Sequence, residues 1–186
     1  LLVLERIPED GLPPRSSSEI KRKLRLPTRV CLAGGWLDQP WISKIYPGPV
    51  VVAAIQPTID FEDRCGMASS SRKVAKKIWG DRLPNGNLEE NARILFGAEN
   101  PPGSLYVSGS QDHLGLFMPG VNQLYYDGHF WPHQINSTVD KETCDWLSKV
   151  LHMVYFQKRP DGYNPLLEQN ITKDGVKKLA DSGELC

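Results

Sequence analysis

The chain has 186 residues, enough for one good-sized domain with a buried core, or one domain and a tail. Its 22 basic side chains balance 22 acidic ones, which removes the usual argument for a nucleic-acid partner, because phosphate binding normally shows as a basic excess. No apolar run approaches the roughly 20 residues that span a bilayer, so no membrane partner is expected.

Residues 1–25 read as a linker or the tail of a preceding domain. The apolar start, 1–4, has the makings of a short strand, but Glu5 and Arg6 follow at once, which does not fit a signal peptide. With no initiator Met, the chain is expected to be an internal fragment of a larger cytoplasmic protein. Pro8, Gly11, Pro13 and Pro14 make a loop; Ser16, Ser17 and Ser18 then cap a short basic stretch that Pro27 ends. The four cysteines, Cys31, Cys65, Cys144 and Cys186, form no C-x-x-C pair and read as free thiols rather than a zinc site. The sequons at Asn136 and Asn170 matter only in a secreted chain.

From residue 26 the pattern changes. Alternation over 28–33 predicts a strand, broken by Gly34 and Gly35. The apolar run 50–55 predicts a buried strand. A small-residue loop, 66–71, leads into a helix ending near Trp79, with Gly80 as its stop. The next helix starts at Asn87 with Glu90 three residues on, turns Leu88, Ala92, Leu95 and Phe96 inward and closes at Gly97. Strands are expected over 104–107 and 115–118, and a hairpin turn at Asp127-Gly128. The longest helix begins near Asp140, with Trp146, Leu147, Val150, Leu151, Val154 and Tyr155 as its apolar face and Pro160 and Gly162 beyond its end. A last helix covers about 173–180. Strands, a Gly/Ser loop, helices, a hairpin and more helices make an α+β chain rather than regular βαβ winding.

Three segments carry chemistry. In the first, a strand bears Arg29, Gly34 and Gly35 allow close backbone approach, and Asp38 is presented three residues past Gly35, after Trp36 and Leu37. A carboxylate there accepts two hydroxyl hydrogen bonds in fixed geometry; the alternative is a strand, a turn and a surface Asp. In the second, Gly66, Met67, Ala68, Ser69, Ser70 and Ser71 precede a helix. Small residues leave N–H groups open and the helix points its positive end at them, which attracts phosphate; the alternative is an ordinary serine-capped helix. The third is Gly109, Ser110, Gln111, Asp112 and His113, with Pro119-Gly120 further on.

The first segment resembles the opening motif of the GHMP family of small-molecule kinases, in its fucokinase and heptose-kinase form P-x-R-x-x-L-A-G-G-x-x-D. The second resembles that family's phosphate loop, G-L-G-S-S-A, with Met67 for Leu, Ala68 for Gly and Arg72 where the family has a small residue. The third resembles its G-x-Q-D-Q segment, with His113 in place of Gln. The resemblance implies a GHMP-kinase-like α+β fold, a mixed sheet with helices over residues 26–186, with the C-terminal part missing. It implies ATP-dependent phosphorylation of a sugar hydroxyl, with Asp112 as base and Arg29 as charge stabiliser. Gly35, Trp36, Asp38 and His113 would contact the sugar. Gly66, Ser69, Ser70 and Ser71 would hold ATP, with Ser70 near Mg²⁺.

Two departures stand against it. About thirty residues separate Gly35 from Gly66, where the family has a longer stretch, and no glycine-rich third motif precedes Cys186. A non-catalytic sugar-binding or regulatory domain with a degenerate ATP site is therefore the second expectation. The segment Arg15 to Lys21 resembles the closing S-S-x-x-I-[RK] motif of cytidylyltransferase-like nucleotidyltransferases, which implies a kinase joined to a nucleotidyltransferase in carbohydrate metabolism. The third expectation is that nucleotidyl transfer is the main activity and this region an accessory; a capped linker helix is the plain alternative. His129 and His133 have metal-like spacing, but Gly128 and Pro132 argue for a turn, and Tyr125, Tyr126, Phe130 and Trp131 suit hairpin packing or stacking on a sugar. Nothing in the sequence sets the oligomeric state.

Overall fold

Strand β1, Thr28–Ala33, opens the sheet, and the computed structural model describes residues 25–56, 66–152 and 171–186. The expectations for 1–24, for Cys65, for Asn170 and for the helix end at Val154, Tyr155, Pro160 and Gly162 lie outside the described residues. β2 is Gly48–Ile55, β3 Val121–Tyr126 and β4 Gln134–Thr138. The order is β1-β2-β3-β4 and each neighbouring pair is antiparallel. The sheet among the described residues is thus not mixed, as the resemblance implied, but wholly antiparallel; the α+β class stands.

The helices are α1 Pro40–Ser43, α2 Ser69–Trp79, α3 Leu88–Glu99, α4 Gln111–Phe117, α5 Lys141–Val150 and α6 Lys173–Leu185. Successive side chains of a strand point to opposite faces. On β3, Gln123 and Tyr125 reach α6, through Gly183 O (3.1 Å) and the Glu184 carboxylate (3.4 Å). Tyr126 reaches the other way, to Ser110 at the start of α4 (2.8 Å). Helices α4 and α6 therefore cover opposite faces of the sheet, and β2 between them is buried along its whole length. Its apolar run without alternation is the signature of a strand covered on both sides. Val50, Val52, Leu114, Phe117, Leu124 and Val176 belong to the main core.

Two expected strands are absent. Residues 115–118 belong to α4 and its C-cap, because a short buried apolar run reads the same in a strand and in a core helix. Residues 104–107 form an exposed loop, with Leu105 92% exposed and Ser104 turned back onto Pro101 O. The expected caps hold: Asn87 Oδ1 accepts from the N–H groups of Glu89 (2.9 Å) and Glu90 (3.2 Å), and Asp140 Oδ2 from Thr143 N (2.9 Å). Helix α3 runs past Gly97 to Glu99, and α6 past Ala180 to Leu185. On α5 only Leu147 is buried; Trp146 and Val150 of the expected apolar face are exposed. β3 and β4 pair as the hairpin expected, but residues 127–133 connect them rather than a two-residue turn. In that loop His129 and His133 both face Asp127, at 2.8 and 3.5 Å, so they do not share a helix face.

One buried cation fixes the entry to β1. Arg72 on α2 is 2% exposed and its guanidinium donates to Leu26 O (2.9 Å), Pro27 O (3.0 Å) and Asp81 Oδ1 (2.9 Å). This holds the segment leading into β1 against the helix that follows the serine loop.

Candidate functional site

The site grows from β1. Arg29 is 7% exposed, and its stem lies under α4 where a Cβ on Gly115 would stand 2.8 Å from Arg29 Cβ. Only glycine lets the helix come this close. The guanidinium donates through Nε (2.7 Å) and Nη2 to Asp112 Oδ1, and through Nη1 to Gly66 O (3.4 Å). One side chain thus joins the third motif to the second. Burial works against the charge on Arg29, but the charge and hydrogen bond of Asp112 outweigh it and the net shift is upward. Next to it Thr28 Oγ1 donates to Met67 O (2.5 Å), a second tie between β1 and the loop.

Asp38 is delivered by a tight turn. Gly34 and Trp36 have φ of 69° and 82°. A Cβ on Gly34 would collide with Pro49 O, so that position needs glycine, while Trp36 carries the strain of a left-handed bulky residue. Asp38 ends up 3% exposed, with Gly109 against its carboxylate: a Cβ there would overlap Asp38 Oδ2. Gln111 donates to it through side chain and main chain. Burial first, then the Asp112 charge, push its carboxyl up to about 6, against the opposing pull of Arg29. Beneath it Tyr126 pairs with Ser110, and burial followed by the Asp38 charge raises the phenol well above its ordinary value. Cys31 lies on the same strand as Arg29, and burial raises its thiol.

Such a carboxyl binds its proton more tightly in the folded protein than in the unfolded chain, where Asp titrates near 3.9. Stability therefore falls as pH rises from about 4 through about 6. Asp38→Asn is expected to remove that slope, moving the unfolding free energy by about 3 kcal/mol in the variant's favour between about pH 4 and about pH 7. Urea unfolding at both pH values checks it; parallel shifts of parent and variant would show that Asp38 does not carry the slope.

The serine loop turns through left-handed Gly66 (φ 81°) and Ala68 (φ 57°) into α2, whose N-cap position lacks a side-chain cap. Instead Glu99, from the end of α3, brings its carboxylate to the Ser70 and Ser71 hydroxyls, although Ser71 Oγ makes no well-aligned hydrogen bond. His113 Nε2 contacts Glu99 Oε2 at 2.8 Å. Burial alone would raise the Glu99 carboxyl; the bonds from His113 and then Ser71 outweigh it, and the group is lowered. A carboxylate at the start of α2 suits the helix dipole but would repel phosphate. A hard divalent cation held by the Ser70 hydroxyl and Glu99 would reverse that sign, and one carboxylate with a hydroxyl and phosphate oxygens is a donor set Mg²⁺ accepts. The residues present fit the ion.

Arg29, Asp38, Asp112 and the loop 66–71 are therefore contiguous. Two expected substrate contacts do not join them. His113 is fully buried and gives its ring to Glu99, so it has no surface for a sugar. Trp36 turns toward α6 and lines a hollow of about 170 Å³ with Ile42, Ile171, Val176 and Leu179. Gly35 stays by the site, close to the Cys31 thiol. Among the described residues no group of three or more His, Cys, Asp or Glu side chains is gathered as for a metal ion, and no helix is long and apolar enough to cross a membrane. No family model, no curated protein and no solved structure matches the chain.

Glu99 escaped the sequence reading, and the contacts that Gly109 and Tyr126 make with Asp38 and Ser110 were not foreseen. Glu99 had one signal: an acid in the last turn of a helix opposes the helix dipole and needs another reason to be there. Gly109 was read only as part of the third motif and Tyr126 only as hairpin packing or a stacking ring, because their contacts here depend on where α4 docks.

Proposed function

We propose that this chain is a GHMP-type sugar kinase domain, transferring the γ-phosphoryl group of ATP to a sugar hydroxyl. The observation that carries the reading is the single guanidinium of Arg29, bonded at once to Asp112 and to the Gly66 carbonyl, with Asp38 against the same helix start. Both bonds from Arg29 to Asp112 end on Oδ1, and no hydrogen bond from the described residues engages Oδ2. Asp112 takes the hydroxyl proton there while the hydroxyl oxygen bonds to the γ-phosphorus and the bond to the departing ADP oxygen breaks. Arg29 holds Asp112 in place and offsets negative charge next to the transferred group. Asp38 and the backbone at Gly35 orient the sugar, which requires the Gly109 segment to admit it. The N–H groups at the head of α2 face the phosphates, and Ser70 with Glu99 would hold Mg²⁺, which would supply neutralisation of the phosphate charge. The leader's resemblance to a nucleotidyltransferase end supports reading this step as part of a sugar-activating, cytoplasmic enzyme.

A second reading is a non-catalytic sugar-binding or regulatory domain attached to a nucleotidyltransferase. One observation favours it: about thirty residues separate Gly35 from Gly66, a short stretch from which to build a nucleotide wall. Calorimetry on the full chain separates the two. Tight binding of Mg·ATP is expected from the kinase; sugar heat with no Mg·ATP heat would select the binding module.

A further inference from the structure

We propose that His113 is a positioning residue which locks the helix bearing Asp112 to the head of α2 through Glu99; the inference rests on the kinase reading. Asp112 and His113 are consecutive on α4, so their side chains leave it about 100° apart. Asp112 turns to Arg29 on the sheet, and His113 turns to Glu99 on α3 (2.8 Å), whose carboxylate lies by the Ser70 and Ser71 hydroxyls. The chain His113–Glu99–Ser70 therefore spans three helices, α4, α3 and α2, while Arg29 closes the circuit from Asp112 back to Gly66.

The ring is held for this bond rather than for packing. It is fully buried, with Phe96 edge-on at a centroid distance of 5.2 Å. Yet among the described residues its Nδ1 has no hydrogen-bond partner. An unpaired buried polar atom costs about 1–3 kcal/mol, which an apolar residue of the same size would avoid. The return on that cost is a fixed carboxylate at the mouth of the serine loop. Without the Nε2 contact Glu99 loses its strongest stabilising partner and is free to swing off the serines. The loop then loses the oriented donor that makes phosphate and metal compatible, and α4 loses its polar tie to α3.

The tie runs through one N–H donor at the end of a side chain. A glutamine carries a donor at similar reach; leucine fills the space but donates nothing, and asparagine is too short. The test uses the full chain, with Mg·ATP and metal-free ATP as calorimetric probes, Mn²⁺ binding in the presence of ATP read by electron paramagnetic resonance, and thermal melts to verify folding. His113→Leu is expected to weaken Mn²⁺ and Mg·ATP binding by about tenfold or more while metal-free ATP binding stays within about twofold, and His113→Gln is expected to restore most of the loss. If His113→Leu does not fold, His113→Asn takes its place with the same expected loss. A folded Leu or Asn variant that binds Mg·ATP like the parent would overturn the role of His113 alone and leave the kinase reading standing. A parent that binds Mg·ATP not at all overturns both.

Discussion

Asp112→Asn is expected to lower sugar-dependent ADP release by the full chain by about 10²–10⁴-fold, the usual weight of a general base. The substitution is close to isosteric. Its Oδ1 still accepts from Arg29, and Asp38 still faces the guanidinium, so the cation keeps a partner and the fold keeps its anchor. What disappears is the capacity of the group to take a proton. Coupled measurement of ADP, with a thermal melt as control, checks the outcome. Turnover equal to that of the parent would remove Asp112 from the reaction; a melt lowered by many degrees would show instead that Arg29 needs the full negative charge. Mg·ATP affinity should hardly move, because Asp112 contacts the loop only through Arg29.

The largest effect on stability is expected at Arg72. Arg72→Met keeps the stem but removes every donor. Leu26 O and Pro27 O lose the bonds that Arg72 gives them, and among the described residues Asp81 keeps the more exposed Arg25 and Lys76. Breaking a buried ion pair and its hydrogen bonds costs about 3–5 kcal/mol. For a domain of this size that is a fall in Tm of roughly 10 °C, and a matching drop in the urea midpoint. A change below about 1 kcal/mol would mean that water reaches the two carbonyls and replaces the guanidinium. Arg72→Lys is expected to fall between, since an ammonium cannot fork across two carbonyls and a carboxylate at once. Arg72 also answers for one departure from the resembling phosphate loop. The position that is small in the family here carries a buried cation that binds the chain ahead of β1.

Local signals were legible where they were short-range. The strand at Thr28–Ala33, the helix stop at Gly80, the Asn87 and Asp140 caps and the pairing of β3 with β4 each follow from neighbours within a few residues, which is the range over which propensity and capping act. The turn that delivers Asp38 was marked by its glycines in the same way. The segment around Gly115 was not legible. Leu114, Leu116 and Phe117 are buried in any conformation, and the helix wins because Gly115 lets α4 settle on the stem of Arg29, a contact across 86 residues of chain. Trp146 shows the converse: helical spacing placed it on an apolar face that the described residues do not cover.

The sequence by itself determined the chemical types at the site: a strand arginine, two carboxylates, a serine-rich helix start and the glycines that bring backbones close. Those are properties of residues and of turns, and they need no partner. The tertiary structure alone decided which groups meet. It joined Arg29 to Asp112 and Gly66, put Gly109 over the Asp38 carboxylate, sent Trp36 toward α6 and turned His113 from a presumed sugar contact into a buried partner of Glu99. The physical reason is direction. A helix aims adjacent residues about 100° apart, so the surface on which Asp112 and His113 act is fixed only when α4 docks between the sheet and α3.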